Sequence, residues 1–435
     1  MRFEFVDPIK VYEVLREESY PFIFESATKH EKKARYTYVS ANPEFVVSVD
    51  KKGTRIDGTT VSRETNPFKA LKELAEFEDL EGKFVGGFAG YIAYDAVHNY
   101  IGGSVEEPSE FGFYRSVFIF DHLKREVFFV SSSGFEVNPA DVIERAKRVK
   151  FEGNGGGGEI LKCDADREDY IEMVVRAKDY IFDGEVFQVV LSREYEVKSD
   201  FEVFEMYLNL RRINPSPYMF LLEFEKSVVG ASPETMASVE NGVVKINPIA
   251  GTAKRGRNED EDRKLAELLL SDEKERAEHV MLVDLARNDI RKVCRAGSVK
   301  VTKFMEVVKY SHVQHIESEV IGILEEDKTC FDAIEAAFPA GTLTGAPKLR
   351  AMEIIDELEK SRRRIYGGCV GYFSINNTAD MAIAIRMVEV DRNCRVRAGA
   401  GIVADSHPER EFFETERKMR AVLKALGVEE DDFDN

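Results

Sequence analysis

The sequence predicts an α+β protein built on mixed or antiparallel β-sheet. Short segments rich in aromatic and β-branched residues are typical of strands, and longer segments with apolar residues at helical spacing are typical of helices. The two kinds of segment do not alternate regularly, as they would in a doubly wound parallel fold. The 435 residues are 43% hydrophobic and 32% charged, which is the balance of a globular protein.

The first 150 residues predict short strands and few helices. Helical spacing covers Pro67–Phe77, and the Gly-rich apolar run Gly86–Tyr94 favours a close-packed strand over a phosphate loop. Glycines dominate the segment 151–163, so we predict a linker or loop there, between an N-terminal region, 1–150, and a C-terminal region, 164–430. Further strands are predicted over Phe22–Glu25, Arg35–Ser40, Phe45–Val49 and Val117–Asp121.

The C-terminal region predicts longer elements of both kinds. The mixed acidic and basic run Lys254–Lys264 indicates an exposed loop. Helices are predicted over Asp166–Asp183, Phe201–Ile213, Glu273–Arg291, Pro347–Lys360 and Pro408–Leu426. Strands are predicted over Phe187–Tyr195, Tyr218–Glu223, Ser227–Gly230, Lys309–Ile321, Gly368–Ser374, Ala379–Val390 and Arg395–Val403.

Charge and composition exclude several classes of function. The formal net charge of −19 argues against binding to nucleic acid or to an anionic membrane surface. No apolar run approaches membrane-helix length and no signal peptide is evident, so we expect a cytoplasmic protein. The five cysteines are widely spaced without a CxxC pair, which favours reduced thiols over a zinc site.

Two pairs of glutamates are candidates for a metal site. Glu275 and Glu278 lie on one predicted helix, and Glu411 and Glu414 on another, each pair at a spacing of three residues that places both carboxylates on one helix face. Two such faces brought together would suit Mg²⁺, which prefers oxygen ligands. On spacing alone, a solvated charged face is the simpler interpretation.

Three runs of small residues are candidates for ligand contact. In Phe338–Lys348, Thr344 and Pro347 stand near the start of a predicted helix, where free N–H groups favour an anion; a well-capped helix is the alternative. Ala398–Asp405 contains two glycines that would let a ligand approach the backbone, and it precedes Glu411 and Glu414. Pro248–Thr252 is a similar turn.

His315 stands in a predicted strand. His312 and His315 would share a face on a helix but point to opposite faces of a strand, which argues against a two-histidine metal site. A lone histidine is usually structural, so these residues by themselves leave its role open.

Seven motifs together resemble the chorismate-utilising enzymes, and among these the large subunits (component I) of anthranilate synthases. The resemblance is strong over about residues 165–425 and thinner before them. The motifs are Gly184–Ser192, Ala231–Glu234, Pro248–Thr252, Glu278–Asp289, Gly341–Lys348, Tyr366–Tyr372 and Ala398–Ser406.

The resemblance implies two large packed, mainly antiparallel sheets surrounded by helices, with chorismate held beside Mg²⁺. It assigns the metal site to Glu275, Glu278, Glu411 and Glu414. It assigns substrate binding to Tyr366, Arg386, Gly399, Ala400, Gly401, Thr252 and Ala250, and places Thr342 near the ring substituents. The fork of Arg386 is physically suited to a carboxylate.

Two positions bear on which nucleophile attacks. Family members that add water have a lysine base where this chain has Gln188, and an amide cannot deprotonate water, which favours ammonia. The aminodeoxychorismate synthases of the folate pathway often carry a nucleophilic lysine where this chain has Ala250. Those synthases are therefore the nearest alternative, and isochorismate or salicylate synthases are the next.

The resemblance also implies roles for two titratable residues. Glu234 would protonate the departing ring hydroxyl, and His315 would remove the ring proton beside the new amine, after which pyruvate leaves and anthranilate forms. The chain shows no glutaminase segment of its own, so the resemblance implies a separate glutamine amidotransferase subunit as the source of ammonia.

A tryptophan site is implied by two further segments. Inhibited family members use a Leu-Leu-Glu-Ser segment together with Asn-Pro-Ser-Pro-Tyr-Met-Phe. This chain has Ile23–Ser26, which departs at Phe24, and Asn214–Phe220. The predicted contacts are Glu25, Ser26, Asn214, Pro215, Ser216, Pro217, Tyr218 and Met219. A strand packed on a proline turn is the alternative. A catalytically silent tryptophan-sensing subunit is disfavoured because Glu234, His315 and the four metal-site glutamates are all present.

Overall fold

Two large antiparallel sheets form the centre of the protein, as predicted. The computed structural model describes residues 1–27, 35–132, 138–151, 155–309 and 313–429. The strands are β1 (Arg2–Glu4), β2 (Phe22–Glu25), β3 (Tyr36–Ser40), β4 (Phe45–Asp50), β5 (Gly53–Ile56), β6 (Thr59–Ser62), β7 (Gly87–Ile92), β8 (Ser109–Tyr114), β9 (Ser116–Asp121), β10 (Glu126–Ser131), β11 (Gly158–Cys163), β12 (Gln188–Ser199), β13 (Tyr218–Glu223), β14 (Ser227–Ser232), β15 (Thr235–Glu240), β16 (Val243–Ile246), β17 (Ile249–Lys254), β18 (Lys300–Lys309), β19 (Val313–Ile323), β20 (Gly345–Ala346), β21 (Cys369–Ser374), β22 (Thr378–Ile383), β23 (Met387–Val390) and β24 (Cys394–Ile402).

Helices cover the outer faces of the sheets. They are α1 (Pro8–Leu15), α2 (Pro67–Leu74), α3 (His98–Ile101), α4 (Pro139–Arg148), α5 (Arg167–Phe182), α6 (Val203–Ile213), α7 (Glu259–Ser271), α8 (Glu273–Arg291), α9 (Cys330–Ala337), α10 (Gly341–Thr344), α11 (Lys348–Leu358) and α12 (Pro408–Ala425). Among the described residues, no helix is long and apolar enough to cross a membrane.

The order of the strands interleaves the two halves of the sequence. The first sheet runs β1-β10-β9-β3-β2-β13-β14-β23-β24-β12-β11, with β20 paired to β12. The second sheet runs β17-β19-β16-β15-β22-β21-β7-β8-β4-β5-β6, with β18 paired to β19. Residues before 150 and residues after 164 thus contribute strands to both sheets, so the predicted boundary divides the sequence but not the fold.

The sheets pack on each other through an aromatic cluster. Phe22 and Phe220 of the first sheet are buried with Tyr91 and Tyr372 of the second. Separate apolar clusters fill the space between each sheet and its helices, including one in which α5 and α11 cover β12 and β24. The result is a layered arrangement of helices, sheet, sheet and helices, in which each sheet buries both faces.

Three predicted elements need correction. Ala379–Val390 is not one strand: β22 belongs to the second sheet and β23 to the first, and the chain crosses between them through Arg386, whose φ is 53°. The predicted loop 254–264 instead ends β17 and begins α7, whose N-cap is the Asn258 side chain, which accepts from the Glu261 N–H. Part of the predicted linker 151–163 is the strand β11, and residues 152–154 lie outside the described residues.

Two smaller differences concern the turns. The predicted strand Lys309–Ile321 covers the end of β18 and most of β19, and His312, in the segment 310–312, lies outside the described residues. Thr344 ends the short helix α10 and donates to the Ala340 carbonyl, so it does not cap α11. Pro347 stands at the N-cap of α11 without a capping side chain.

Candidate functional site

Glu234 and Thr342 meet in a cleft of about 380 Å³. Glu234 lies in the short turn between β14 and β15, and its carbonyl accepts from the Ile383 N–H at 3.0 Å. Thr342, on α10, donates its hydroxyl to Glu234 Oε1 at 3.0 Å. Burial raises the pKa of Glu234 to about 7, so the carboxyl can hold a proton near neutral pH. That is the property of a general acid.

Lys418 is a site residue that sequence reasoning missed. It lies on α12, and its Nζ donates to the Gly399 carbonyl at 2.8 Å and stands 3.5 Å from Glu414 Oε1. Burial and the nearby Arg386 lower the pKa of Lys418 to about 8. Its position four residues after Glu414 and seven after Glu411 was a usable signal, because those spacings share a helix face.

Arg386 is tied to the same helix. Its Nη1 donates to the Lys418 carbonyl at 2.6 Å, and burial lowers its pKa. Tyr366 is buried in the turn before β21, and burial raises the pKa of its hydroxyl, while Arg363 acts in the opposite direction. The guanidinium of Arg386, the ammonium of Lys418 and the phenol of Tyr366 therefore lie near the point where the chain crosses from one sheet to the other. Two cations at such a point suit recognition of an anion.

The predicted metal-site glutamates lie on the two expected helices, α8 and α12. Burial raises the pKa values of Glu275 and Glu278, and Glu278 also feels repulsion from Glu275 and Glu411. Glu414 is instead paired with Arg417 on its own helix. Within the described residues, no group of three or more His, Cys, Asp or Glu side chains is arranged to hold a metal ion. The oxygen donors and the repulsion between the carboxylates fit a hard divalent cation. For all four carboxylates to bind one ion, the ion pair between Glu414 and Arg417 must break.

His315, on β19, is oriented by the neighbouring strand β17. Its Nδ1 lies 2.8 Å from the Gly251 carbonyl and 3.1 Å from the Thr252 hydroxyl. A carbonyl can only accept, so Nδ1 carries the proton and the lone pair of the neutral ring is on Nε2. Burial lowers the pKa of His315, which favours that neutral form. The ring is therefore prepared to act as a base.

Gln188 and the small residues of β24 face each other across two paired strands. β12 aligns Val190 with Gly401 and Ser192 with Gly399. A Cβ on Gly401 would come within 2.8 Å of Gln188 Nε2, and one on Gly399 within 2.7 Å of the Leu191 carbonyl. Close strand packing therefore requires a glycine at position 399, where the Cβ would meet backbone, whereas at position 401 it would meet only the end of the Gln188 side chain. Gln188 Oε1 is buried without a hydrogen-bond partner among the described residues.

The remaining substrate-binding predictions lie on β24 and β17. Ala400 is buried and aligned with Leu191. Ala250 is buried and aligned with Ile316, next to the strand position of His315. Thr252 is directly opposite His315 in the same pair of strands. The segment Pro248–Thr252, predicted to be a turn, instead leads into and forms the first part of β17, which pairs with β19 beside His315. The assignment of these residues to a substrate stays a prediction.

A second cleft, of about 670 Å³, holds most of the predicted tryptophan contacts. We call it the aromatic cleft; its lining includes Phe24, Glu25, Ser26, Tyr38, Pro217, Tyr218, Met219 and Tyr372. Strand pairing of β2 with β13 aligns Glu25 with Met219, and the Ser216 carbonyl accepts from the Ala27 N–H at 3.1 Å. Asn214, Pro215 and Ser216 do not line the cleft; Asn214 caps the end of α6.

Polar side chains in the aromatic cleft are paired within the protein. Arg211 donates to both carboxylate oxygens of Glu25, at 2.7 and 2.6 Å, and the Tyr207 hydroxyl donates at 2.8 Å. The Tyr218 hydroxyl lies 2.7 Å from Thr235 Oγ1 and donates to Asp380 at 3.0 Å. Thr235 follows Glu234 in the chain, so the two clefts are neighbours.

The fold and these residues define an enzyme that binds chorismate: the chain belongs to the chorismate binding enzyme family, which matches residues 5–424. It is 62% identical over 427 residues to anthranilate synthase component 1 of Thermococcus kodakarensis, and the match covers 98% of each chain. It is 56% identical over 425 residues to the protein of the same name from Archaeoglobus fulgidus, covering 98% of this chain and 99% of the relative.

A solved structure gives the same result. Anthranilate synthase component I from Streptococcus pneumoniae TIGR4 is 35% identical, with a TM-score of 0.78, covering 90% of this chain and 92% of that chain. The resemblance to these large subunits that the motifs indicated is confirmed.

Proposed function

We propose that this protein is the large subunit of an anthranilate synthase, which converts chorismate and ammonia to anthranilate and pyruvate in the first step of tryptophan biosynthesis. The observation that carries the proposal is the pair of residues at positions 188 and 250. Gln188 cannot activate water, and Ala250 offers no nucleophile, although the acid and base positions are filled by Glu234 and His315. The names of the relatives support the same reaction.

Binding of chorismate comes first. The substrate carries two carboxylates, and the cations that face the site are Lys418 and Arg386. Arg386 and Tyr366 suit the carboxylate of the enolpyruvyl group, together with the backbone of Gly399–Gly401. Lys418 stands between that strand and the glutamates of α12, where it can approach the ring carboxylate.

The chemical steps follow from the protonation states. Glu234 donates its proton to the ring hydroxyl, which leaves as water while ammonia adds to the ring carbon beside the carboxylate; the added nitrogen releases a proton to solvent and gives aminodeoxyisochorismate. His315 then removes the proton on the aminated carbon through Nε2. The electron pair of that C–H bond makes the ring aromatic as the bond between the ring and the enolpyruvyl oxygen breaks, and the released enolate is protonated on its methylene carbon to give pyruvate. The raised pKa of Glu234 and the lowered pKa of His315 support these two roles.

We propose Mg²⁺ as the cofactor, held by Glu275, Glu278, Glu411 and Glu414. When bound, the ion neutralises the ring carboxylate of chorismate without proton transfer. The support is the oxygen-only donor set and the raised pKa of Glu278, which burial and then repulsion from Glu275 and Glu411 cause.

We further propose a partner subunit and an inhibitor. The relatives are named component 1, which implies a second component, and a glutamine amidotransferase would supply the ammonia. Tryptophan would bind in the aromatic cleft, whose ring-lined walls suit an indole. The whole complex would act in the cytoplasm.

The purified chain tests the reaction directly. It is incubated with chorismate, Mg²⁺ and a high concentration of ammonium at alkaline pH, and the products are followed by anthranilate fluorescence and chromatography. We expect anthranilate and pyruvate in equal amounts, lost on addition of EDTA and restored by Mg²⁺.

Other products would contradict the proposal in distinct ways. An amino-chorismate that keeps its enolpyruvyl group would indicate an aminodeoxychorismate synthase, and isochorismate or salicylate would indicate attack by water. Activity that persists in the presence of EDTA would contradict the proposed Mg²⁺ cofactor but not the proposed reaction.

A further inference from the structure

A buried ion pair joins the end of α11 to the following turn. Arg363 donates from Nε and Nη2 to Glu359, at distances of 2.7 to 3.1 Å. Their side chains are 1% and 3% exposed, respectively. Such a pair is costly to desolvate, and apolar residues of similar volume often replace one without loss of stability. Stability alone therefore does not explain its presence.

The hydrogen bonds of Arg363 reach two other elements. Its Nη1 donates to the Leu343 carbonyl at 2.6 Å, one residue after Thr342, and its Nη2 donates to the Val190 carbonyl at 2.7 Å, two residues after Gln188. The guanidinium also lies over the ring of Tyr366, 5.9 Å from its centroid. One planar cation therefore contacts the segments that carry Thr342, Gln188 and Tyr366.

Glu359 completes the connection to the glycine-bearing strand. Its Oε1 accepts from the Ser192 N–H at 2.7 Å and from the Ser192 hydroxyl at 2.8 Å. Val190 and Ser192 are the residues of β12 that face Gly401 and Gly399 on β24. Two points of β12 are thus held by this ion pair, on either side of the position opposite Ala400. The buried Arg397 adds to the connection, because its Nη1 donates to Glu359 Oε2 at 3.4 Å and to the Ser192 hydroxyl at 3.1 Å.

We propose that Arg363, held in place by Glu359, is a positioning residue for chorismate. It fixes the distances between Thr342, Tyr366 and the strand pair β12–β24. The inference rests on the proposed function for the reaction. The planar fork bonds a carboxylate and two carbonyls in fixed directions, which the single ammonium of a lysine cannot reproduce. Small displacements of substrate-binding groups weaken binding and catalysis strongly.

Two variants separate positioning from stability. Arg363→Lys keeps the charge and loses the fork, and the double variant Glu359→Leu with Arg363→Met removes both charges together. The affinity for chorismate is measured by calorimetry, KM and kcat by anthranilate formation, and stability by thermal unfolding. We expect each folded variant to raise the Kd and the KM for chorismate about tenfold or more, with a smaller change in kcat.

Arg193→Lys is the matched control. Arg193, on β12, is buried as Arg363 is, but it contacts Glu416, the Ala165 carbonyl and the rings of Tyr195 and Phe412, none of which is a candidate site residue. This control should lose thermal stability and keep the parent Kd.

Two results would overturn the proposal: an Arg363→Lys protein that is folded and binds chorismate like the parent, or an equal rise in Kd for Arg193→Lys. If Arg363→Lys does not fold, the double variant decides by the same Kd measurement. A parent that binds chorismate but makes another product would refute the proposed reaction, while the Kd comparison would still decide the role of Arg363.

Discussion

The two clefts of this protein differ in how their buried carboxyl groups are paired. In the centre that contains Glu234, Glu278 and Lys418, burial is the main cause of the shifted pKa values: it raises the pKa of Glu234 to about 7, raises that of Glu278 and lowers that of Lys418 to about 8. In the aromatic cleft the buried carboxylate of Glu25 accepts from Arg211 and Tyr207, while burial raises the pKa of Asp380, which accepts from the Tyr218 hydroxyl. The carboxyl of Glu234 accepts from the neutral hydroxyl of Thr342, whereas the aromatic cleft combines ring-lined walls with carboxyl groups that are paired to Arg211 and Tyr218.

The contrast indicates which interactions a ligand would make in each cleft. A site with shifted pKa values changes its charge when a ligand arrives, which is the basis of acid–base catalysis. A cleft whose polar groups are already paired gains mainly from apolar burial and shape, which suits an inhibitor. The hydrogen bond between Tyr218 and Thr235, next to Glu234, connects the two.

The largest expected effect comes from Glu234→Gln. The amide keeps the shape but cannot donate a carboxylic proton, so we expect kcat to fall about a thousandfold. Because the pKa of Glu234 is raised, ionising it in the folded protein costs stability, which is lost as the pH rises from the ordinary carboxyl pKa to about 7. The Tm of the variant should therefore exceed that of the parent at about pH 8 but not at about pH 4. Activity near the parent level would remove the acid assignment.

A middle-sized effect is expected from titration of Lys418. The lowered pKa means that the ammonium is present below about pH 8 and is lost as the pH rises through that value. The Kd for chorismate, measured by calorimetry, should rise about tenfold between pH 7 and pH 9 as the charged partner disappears. In Lys418→Arg, which stays charged, that alkaline rise should be absent. A flat parent profile would contradict a role for Lys418 in binding.

The smallest effect on catalysis should come from the aromatic cleft. Glu25→Gln removes the charge that holds Arg211, and we expect inhibition by tryptophan to weaken about tenfold while kcat/KM stays within about twofold of the parent. Inhibition is measured by titrating tryptophan at fixed chorismate. Glu202→Gln, which changes the exposed partner of Arg16, is the matched control and should leave inhibition unchanged. If tryptophan does not inhibit the parent protein, the proposal that the aromatic cleft is a regulatory site for tryptophan is wrong.

Much of the fold was predictable because its signals are local. The helix Glu273–Arg291 and the strands Phe22–Glu25 and Tyr218–Glu223 have the predicted bounds, since periodicity within one element marks them. Ala379–Val390 was mistaken for one strand because both halves have strand composition, and only the packing of two sheets separates them at Arg386. The helix α7 was missed because its charged, exposed face resembles a loop.

The sequence by itself determined the family, the chemical identity of Gln188 and Ala250, and the pairing of glutamates on two helix faces. Those features depend on residue type and on spacing within one element. The tertiary structure alone decided that Lys418 reaches Gly399, that Arg363 holds three site segments, and that Glu234 has a raised pKa. The physical reason is that burial and electrostatic interaction depend on neighbours from distant parts of the chain, which local patterns do not encode: burial raises the pKa of Glu234, and the hydrogen bond from Thr342 acts in the opposite direction.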